Sequence, residues 1–162
     1  ARLTHIGAGG EARMIDISAK PVTSREARAR GAVRMSAEAL AAVIQGNLPK
    51  GDVMTTARIA GIQAAKRTSE LIPMCHPLLL SAIDVECTPD DQLPGIQIAS
   101  LVRCEGKTGA EMEALTAVAV AGLTIIDMAK SADRWMTIEG ITLLEKRGGK
   151  SGPQRRPKSV RP

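Results

Sequence analysis

The chain has 162 residues, 44% of them hydrophobic, with one Trp and no Tyr or Phe. That length suits one domain, and its core must be aliphatic. The net charge is +5, but seven Lys and Arg and no acid lie from Lys146 onward, which leaves 15 bases against 17 acids elsewhere. A nucleic-acid binder would more often carry its basic face on the folded part, and the stacking aromatics that single strands need are missing. We therefore expect no nucleic-acid partner. A basic tail of this kind serves as a solvated end or a weak polyanion contact. No stretch has the roughly 18 consecutive apolar residues of a membrane span, and the start, ARLTHIGAGG, has no apolar signal segment. Three cysteines in no paired pattern fit a reduced, cytoplasmic protein.

In chain order, residues 1–13 are Gly-rich and aperiodic, a flexible N-terminus. MIDIS (14–18) has the alternation of a short strand. From Arg25 to Met35, Ala27, Ala29, Gly31 and Val33 alternate with Glu26, Arg28, Arg30 and Arg34, a half-buried strand. Ser36 caps a helix that Gly46 ends. After the turn Pro49-Lys50-Gly51, Asp52 caps a second helix to about Thr68. LIPMCHPL, with two prolines, reads as an ordered non-helical loop. Strands around 83–87 and 96–103 follow, then the loop EGKTG, a helix from about Ala110 to Lys130, and a strand over about 136–145. Residues 14–146 read as one folded domain, and 147–162 as a basic, Gly- and Pro-rich flexible tail. With the first two helices counted together the order is β-α-β-β-α-β. That predicts an α+β, ferredoxin-like subunit with an extra helix and an antiparallel sheet covered by helices on one face.

Several short motifs invite chemistry. GKT at 106–108 and GGKS at 148–151 both lack the earlier glycine of a P-loop, because Leu101 and Leu144 stand there. Gly106 to Gly109 still precede a helix N-terminus, where anions can bind or a plain turn can suffice. Two His and three Cys, with no CxxC or HxxxH, offer no metal site. His76 on its proline-flanked loop is a candidate donor or a structural residue, with Cys75 as packing. On the long helix, Glu111 and Glu113 in the first turn suit the helix dipole. Asp127 and Lys130, three apart, make a surface ion pair or a catalytic pair. Glu113 and Asp127 share a helix face, about 40° apart in direction, but lie about 21 Å apart along the axis. One pocket of one chain can hardly use both. Two chains related by a two-fold, with these helices antiparallel, would bring them together.

The stretches MIDIS, KGDVMTTARIAGIQAAKRTSELIPMCHPL, KTGAEMEALTAVAVAGLTIIDMAK and GGKSG together resemble the molybdenum cofactor biosynthesis protein C family, the cyclic pyranopterin monophosphate synthases. The resemblance covers about residues 14–152. It implies a ferredoxin-like subunit in a homohexamer, a trimer of dimers with active sites at dimer interfaces. It implies a lyase that converts 3′,8-cyclo-7,8-dihydroguanosine 5′-triphosphate, supplied by a radical enzyme, into cyclic pyranopterin monophosphate and pyrophosphate, with no cofactor of its own and no membrane partner. Carried over by motif, Asp127, Lys130 and Lys50 match catalytic positions. Met74, Cys75, His76, Glu111, Met112, Glu113 and Lys146 match substrate-binding ones. Ile126, where an aromatic is usual, Ala129 and Ala110 depart from the pattern and fall between the functional positions. The residue types suit the chemistry: acids and Lys130 for proton transfers, and Lys50, Lys130 and Lys146 for a triphosphate. The alternative is a non-catalytic oligomeric binding module with a polyanion-binding tail.

Overall fold

A computed structural model describes residues 9–157. Strand β1 (Thr23–Arg34) is the middle of a five-stranded sheet. Helices α1 (Ala37–Gln45) and α2 (Val53–Lys66) and the single turn α3 (Thr68–Leu71) follow it. Strands β2 (Leu80–Asp90) and β3 (Gly95–Gly106), helix α4 (Glu111–Ala129), and strands β4 (Thr137–Arg147) and β5 (Gln154–Arg155) complete the chain. The sheet order is β2-β3-β1-β4-β5 and every pairing is antiparallel. The first four strands have the ferredoxin-like arrangement expected from the element order.

The alternation in β1 does what its period predicts. Ala27, Ala29 and Val33 are buried beneath the helices, while Arg28, Arg30 and Arg34 lie exposed on the other face. Small residues let α4 lie close to the sheet and to α2. A Cβ on Gly31 would stand 2.8 Å from the Val118 side chain, and one on Gly61 2.9 Å from the Ala117 carbonyl oxygen. Overpacking at such contacts typically costs about 1–3 kcal/mol. The core is accordingly aliphatic, with Ile96, Ile98, Val102, Val118 and Ile125 fully enclosed. Helix α4 is long and apolar enough in composition to cross a membrane. Its Ala114, Ala117, Val118, Ala121 and Ile125 are instead buried, which is the position of a core helix.

Both predicted caps form. Ser36 Oγ accepts from Ala39 N–H at 3.2 Å, and Asp52 accepts from Thr55 N–H at 3.0 Å. Gly46 closes α1 at φ 69°. Three segments differ from the sequence reading. The helix expected to reach Thr68 breaks at Arg67, because the Thr68 hydroxyl folds back on the carbonyls of Ala64 and Ala65 that the helix end leaves free. Residues 14–18 are not a strand: the Asp16 carboxylate accepts from the Ser18 amide and hydroxyl, which turns the backbone locally. The stretch after Arg147 was expected to be irregular throughout, yet Gln154–Arg155 pair with Lys146 and Glu145 at the sheet edge. Of the termini read as flexible, residues 1–8 and 158–162 lie outside the described part.

Candidate active site

The sequence-predicted residues gather at the two ends of α4. At its N-terminal end, Met74, Cys75 and His76 from the loop after α3 meet Glu111, Met112 and Glu113 around a recess of about 250 Å³. Ile15, Ile17 and Lys20 wall the recess from the N-terminal segment. The Lys107 ammonium holds that segment through the Ser18 carbonyl, at 2.6 Å. So MIDIS contributes to the site as a covering strap and not as a strand.

The recess adjoins a cleft of about 810 Å³ that shares Lys20, Thr108, Gly109 and Glu111 with it and adds Arg25, Lys107, Lys146 and Lys150. Register explains how two of these cations arrive. Arg25 and Lys146 have the same strand parity as the buried residues, since Arg25 lies opposite Cys104, and Lys146 opposite Ala27. Their side chains therefore emerge under the N-terminus of α4. Arg25 Nε donates to the Gly106 carbonyl at 2.8 Å, and Lys146 Nζ to Glu111 at 2.9 Å. A Cβ on Gly109 would displace the Glu111 carboxylate from its present position. Helix α4 has no side-chain N-cap, and its N-terminal residue Glu111 lines both recess and cleft, where the helix dipole favours anions.

Glu113 is 4% exposed. Burial, with a smaller contribution from the Glu111 charge, pushes its carboxyl up to about 7. Burial and the Glu113 charge also raise the Cys75 thiol, and Cys104 behind it is raised chiefly by burial. No cation offsets the rise at Cys75, and at Cys104 burial outweighs the nearby Arg25 charge, so neither environment favours a thiolate.

At the other end of α4, Asp127 accepts from Lys130 at 2.8 Å and from Lys50 at 2.5 Å. Lys50 reaches it from the turn between α1 and α2, where Gly51 at φ 85° redirects the chain into the Asp52 cap. Hydrogen bonds from Lys130 and Lys50 hold the Asp127 carboxyl down to about 2. All three side chains are about half exposed. The structure thus joins Lys50 to the predicted Asp127–Lys130 pair. It keeps that triad at the far end of α4 from the other seven predicted residues.

Sequence reasoning missed Lys20, Arg25 and Lys150 as site residues. Arg25 had a readable signal: it is a cation at the inward parity of a strand whose other inward residues are Ala, Gly and Val. For Lys20 and Lys150 the local sequence carries no such signal.

A small α+β domain with a protonatable acid in a recess beside a five-cation cleft has the features of an enzyme that handles a phosphorylated heterocycle. The chain belongs to the MoaC family, whose model matches residues 14–149. The cyclic pyranopterin monophosphate synthase of Methylobacterium sp. (strain 4-46) is 61% identical over 152 residues, covering 94% of this chain and 95% of that protein. The protein of the same name from Brucella ovis is 57% identical over 151 residues, covering 93% and 92%.

Proposed function

We propose that the chain catalyses the reaction for which these relatives are named. It is a lyase of molybdenum cofactor biosynthesis that converts 3′,8-cyclo-7,8-dihydroguanosine 5′-triphosphate into cyclic pyranopterin monophosphate and pyrophosphate. The observation that supports this most is that the Glu113 recess and the cationic cleft lie side by side and share Lys20, Thr108, Gly109 and Glu111. The heterocycle sits over Met74, Cys75, His76 and Met112, and the phosphates extend toward Lys20, Arg25, Lys107, Lys146 and Lys150. Forming a cyclic monophosphate with pyrophosphate as product requires an internal hydroxyl oxygen to attack the α phosphorus. One P–O bond forms, the α–β bridging bond breaks, and the hydroxyl proton passes to a base. Cations around the departing pyrophosphate stabilise the charge that develops there.

The three acids then divide the work. Glu113 titrates near neutrality and is the proton donor and acceptor. Asp127 stays ionised and orients the ammonium groups of Lys50 and Lys130 toward substrate. Glu111 holds Lys146 at the junction of recess and cleft. Because helical rise separates Glu113 from Asp127 by about 21 Å, a complete site takes its Asp127, Lys130 and Lys50 from a second protomer. This supports a homo-oligomer with sites at dimer interfaces, and the hexameric trimer of dimers is the assembly we propose. The substrate comes from a radical enzyme in the cytoplasm.

The test is to supply that enzyme's product and to follow pyrophosphate and, after oxidation, a fluorescent pterin. Both should appear together with the wild-type chain. If neither appears, a non-catalytic binding module is the better reading.

A further inference from the structure

The basic stretch after β4 brings Lys150 to the cleft, and the reading above leaves open what holds it there. The Gly152 amide donates to the Gly149 carbonyl at 3.2 Å, so residues 149–152 form a turn with Lys150 and Ser151 at its tip. Those two residues line the cationic cleft. Gly148, Gly149 and Gly152 all have positive φ. A Cβ on Gly148 would collide with the Ser24 carbonyl, and one on Gly149 would lie 2.6 Å from the Arg25 guanidinium. The turn is therefore seated on the start of β1, beside a cation of the cleft.

What holds the far side of the turn is β5. Gln154 pairs with Lys146 and Arg155 with Glu145, and the Arg156 amide donates to the Leu144 carbonyl at 2.8 Å. Glu145 is bonded by Arg147 at 2.5 Å and lies 3.3 Å from Arg155 Nε, which links the two strands. Glu145 lies opposite Arg28, on the outer face of the sheet. Arg155 is not among the residues that line the cleft.

We propose that β5 is a positioning strap: by closing the β4–β5 hairpin it holds Lys150 and Ser151 on the cleft and fixes the strand that carries Lys146. This rests on the reading of the cleft as the phosphate end of the site. Without β5, a segment with three glycines would be tethered at one end only. Its ordering would then have to be met on binding. Pre-ordering of a loop appears as affinity.

The experiment uses the whole chain, the chain ending at Gly152, and the variants Arg155→Glu, Arg155→Lys and Lys150→Ala. Two quantities are read: KM against kcat for turnover, and the affinity for inorganic pyrophosphate by calorimetry. The Gly152 chain and Arg155→Glu should raise KM and weaken pyrophosphate binding by about tenfold, with kcat changed by less than about threefold. Arg155→Lys should restore most of the affinity. With Lys150→Ala already present, Arg155→Glu should have a smaller effect than it has alone, since part of its action passes through Lys150. Unchanged pyrophosphate affinity in the Gly152 chain overturns the proposal, as do fully additive effects or a fall in kcat that tracks the thermal midpoint. A wild-type chain that binds pyrophosphate but does not turn over defeats the proposed reaction alone, and the strap is then judged on the calorimetry.

Discussion

The two ends of α4 place the same functional group in opposite settings. Glu113 is enclosed under the N-terminal strap, and burial pushes its carboxyl up to about 7. Asp127 stands in the open between two ammonium groups that hold it at about 2. Two carboxyls driven apart by environment are the usual way in which a fold keeps one proton carrier and one fixed charge at the same pH. The contrast also says which end is finished. The Glu113 end has walls from four parts of one chain, whereas the Asp127 end has charges in place and nothing over them in the single subunit.

The most severe break of this comparison is to disable each end separately. Asp127→Asn and Glu113→Gln should each lower kcat by about 10²–10⁴-fold. Asp127→Asn should lower the thermal midpoint only slightly, because the ion pairs it loses are exposed. Mixing the two inactive proteins under conditions that exchange subunits should then restore activity. Random pairing into two-fold dimers gives hybrids with one intact site of two, so about a quarter of wild-type activity should return. No recovery, with exchange verified by mass, would place both ends of the site within one chain.

The next effect concerns proton linkage. The folded-state pKa of Glu113 lies above its unfolded value of 4.5. Between those two values the folded state binds the extra proton, so stability falls as pH rises from about 4.5 to about 7. A shift of this size corresponds to roughly 3 kcal/mol. Urea denaturation of wild type and Glu113→Gln across pH 4 to 8 should show wild type losing stability relative to the variant over that window and running parallel to it above. Asp127→Asn should behave oppositely at the acid end. The lowered pKa of Asp127 contributes stability above about pH 4 that disappears as pH falls toward 2, and the variant lacks that contribution. Parallel curves for Glu113→Gln at every pH would mean that the carboxyl is solvated.

Much of this contrast was readable in the sequence, and the unreadable part has a physical cause. Alternation in β1, the caps at Ser36 and Asp52 and the glycine stop at Gly46 depend on near neighbours, so they appear in the chain as written. The spacing of Asp127 and Lys130 likewise foretold their ion pair. Lys50 meets Asp127 across 77 positions, and only the packing of α2 on α4 brings the intervening turn there. MIDIS alternates like a strand, yet Asp16 satisfies the local amide and hydroxyl of Ser18 and no partner strand claims it. Two-residue β5 is too short to carry any period. Its pairing depends on the glycine turn before it, and glycine content alone reads as irregular chain.

The smallest expected effect tests how the closed end stays closed. A single lysine, Lys107, ties the strap to the loop before α4 through the Ser18 carbonyl. The strap supplies Ile15, Ile17 and Lys20 to the recess wall. A charge-assisted bond of this kind, partly exposed, contributes about 1 kcal/mol. Lys107→Met keeps the stem and removes the donor, so KM should rise about threefold to tenfold through both a looser wall and one fewer cation. The two contributions separate by salt. Loss of a phosphate contact makes KM less sensitive to ionic strength, whereas a looser strap raises KM equally at every salt concentration and speeds amide exchange at residues 15–20. Faster exchange there, with an unchanged salt slope, would show that the buried environment of Glu113 depends on a clasp between residues 89 positions apart in sequence. Unchanged exchange would mean that the recess walls hold without it, and that the two ends of α4 differ by packing alone.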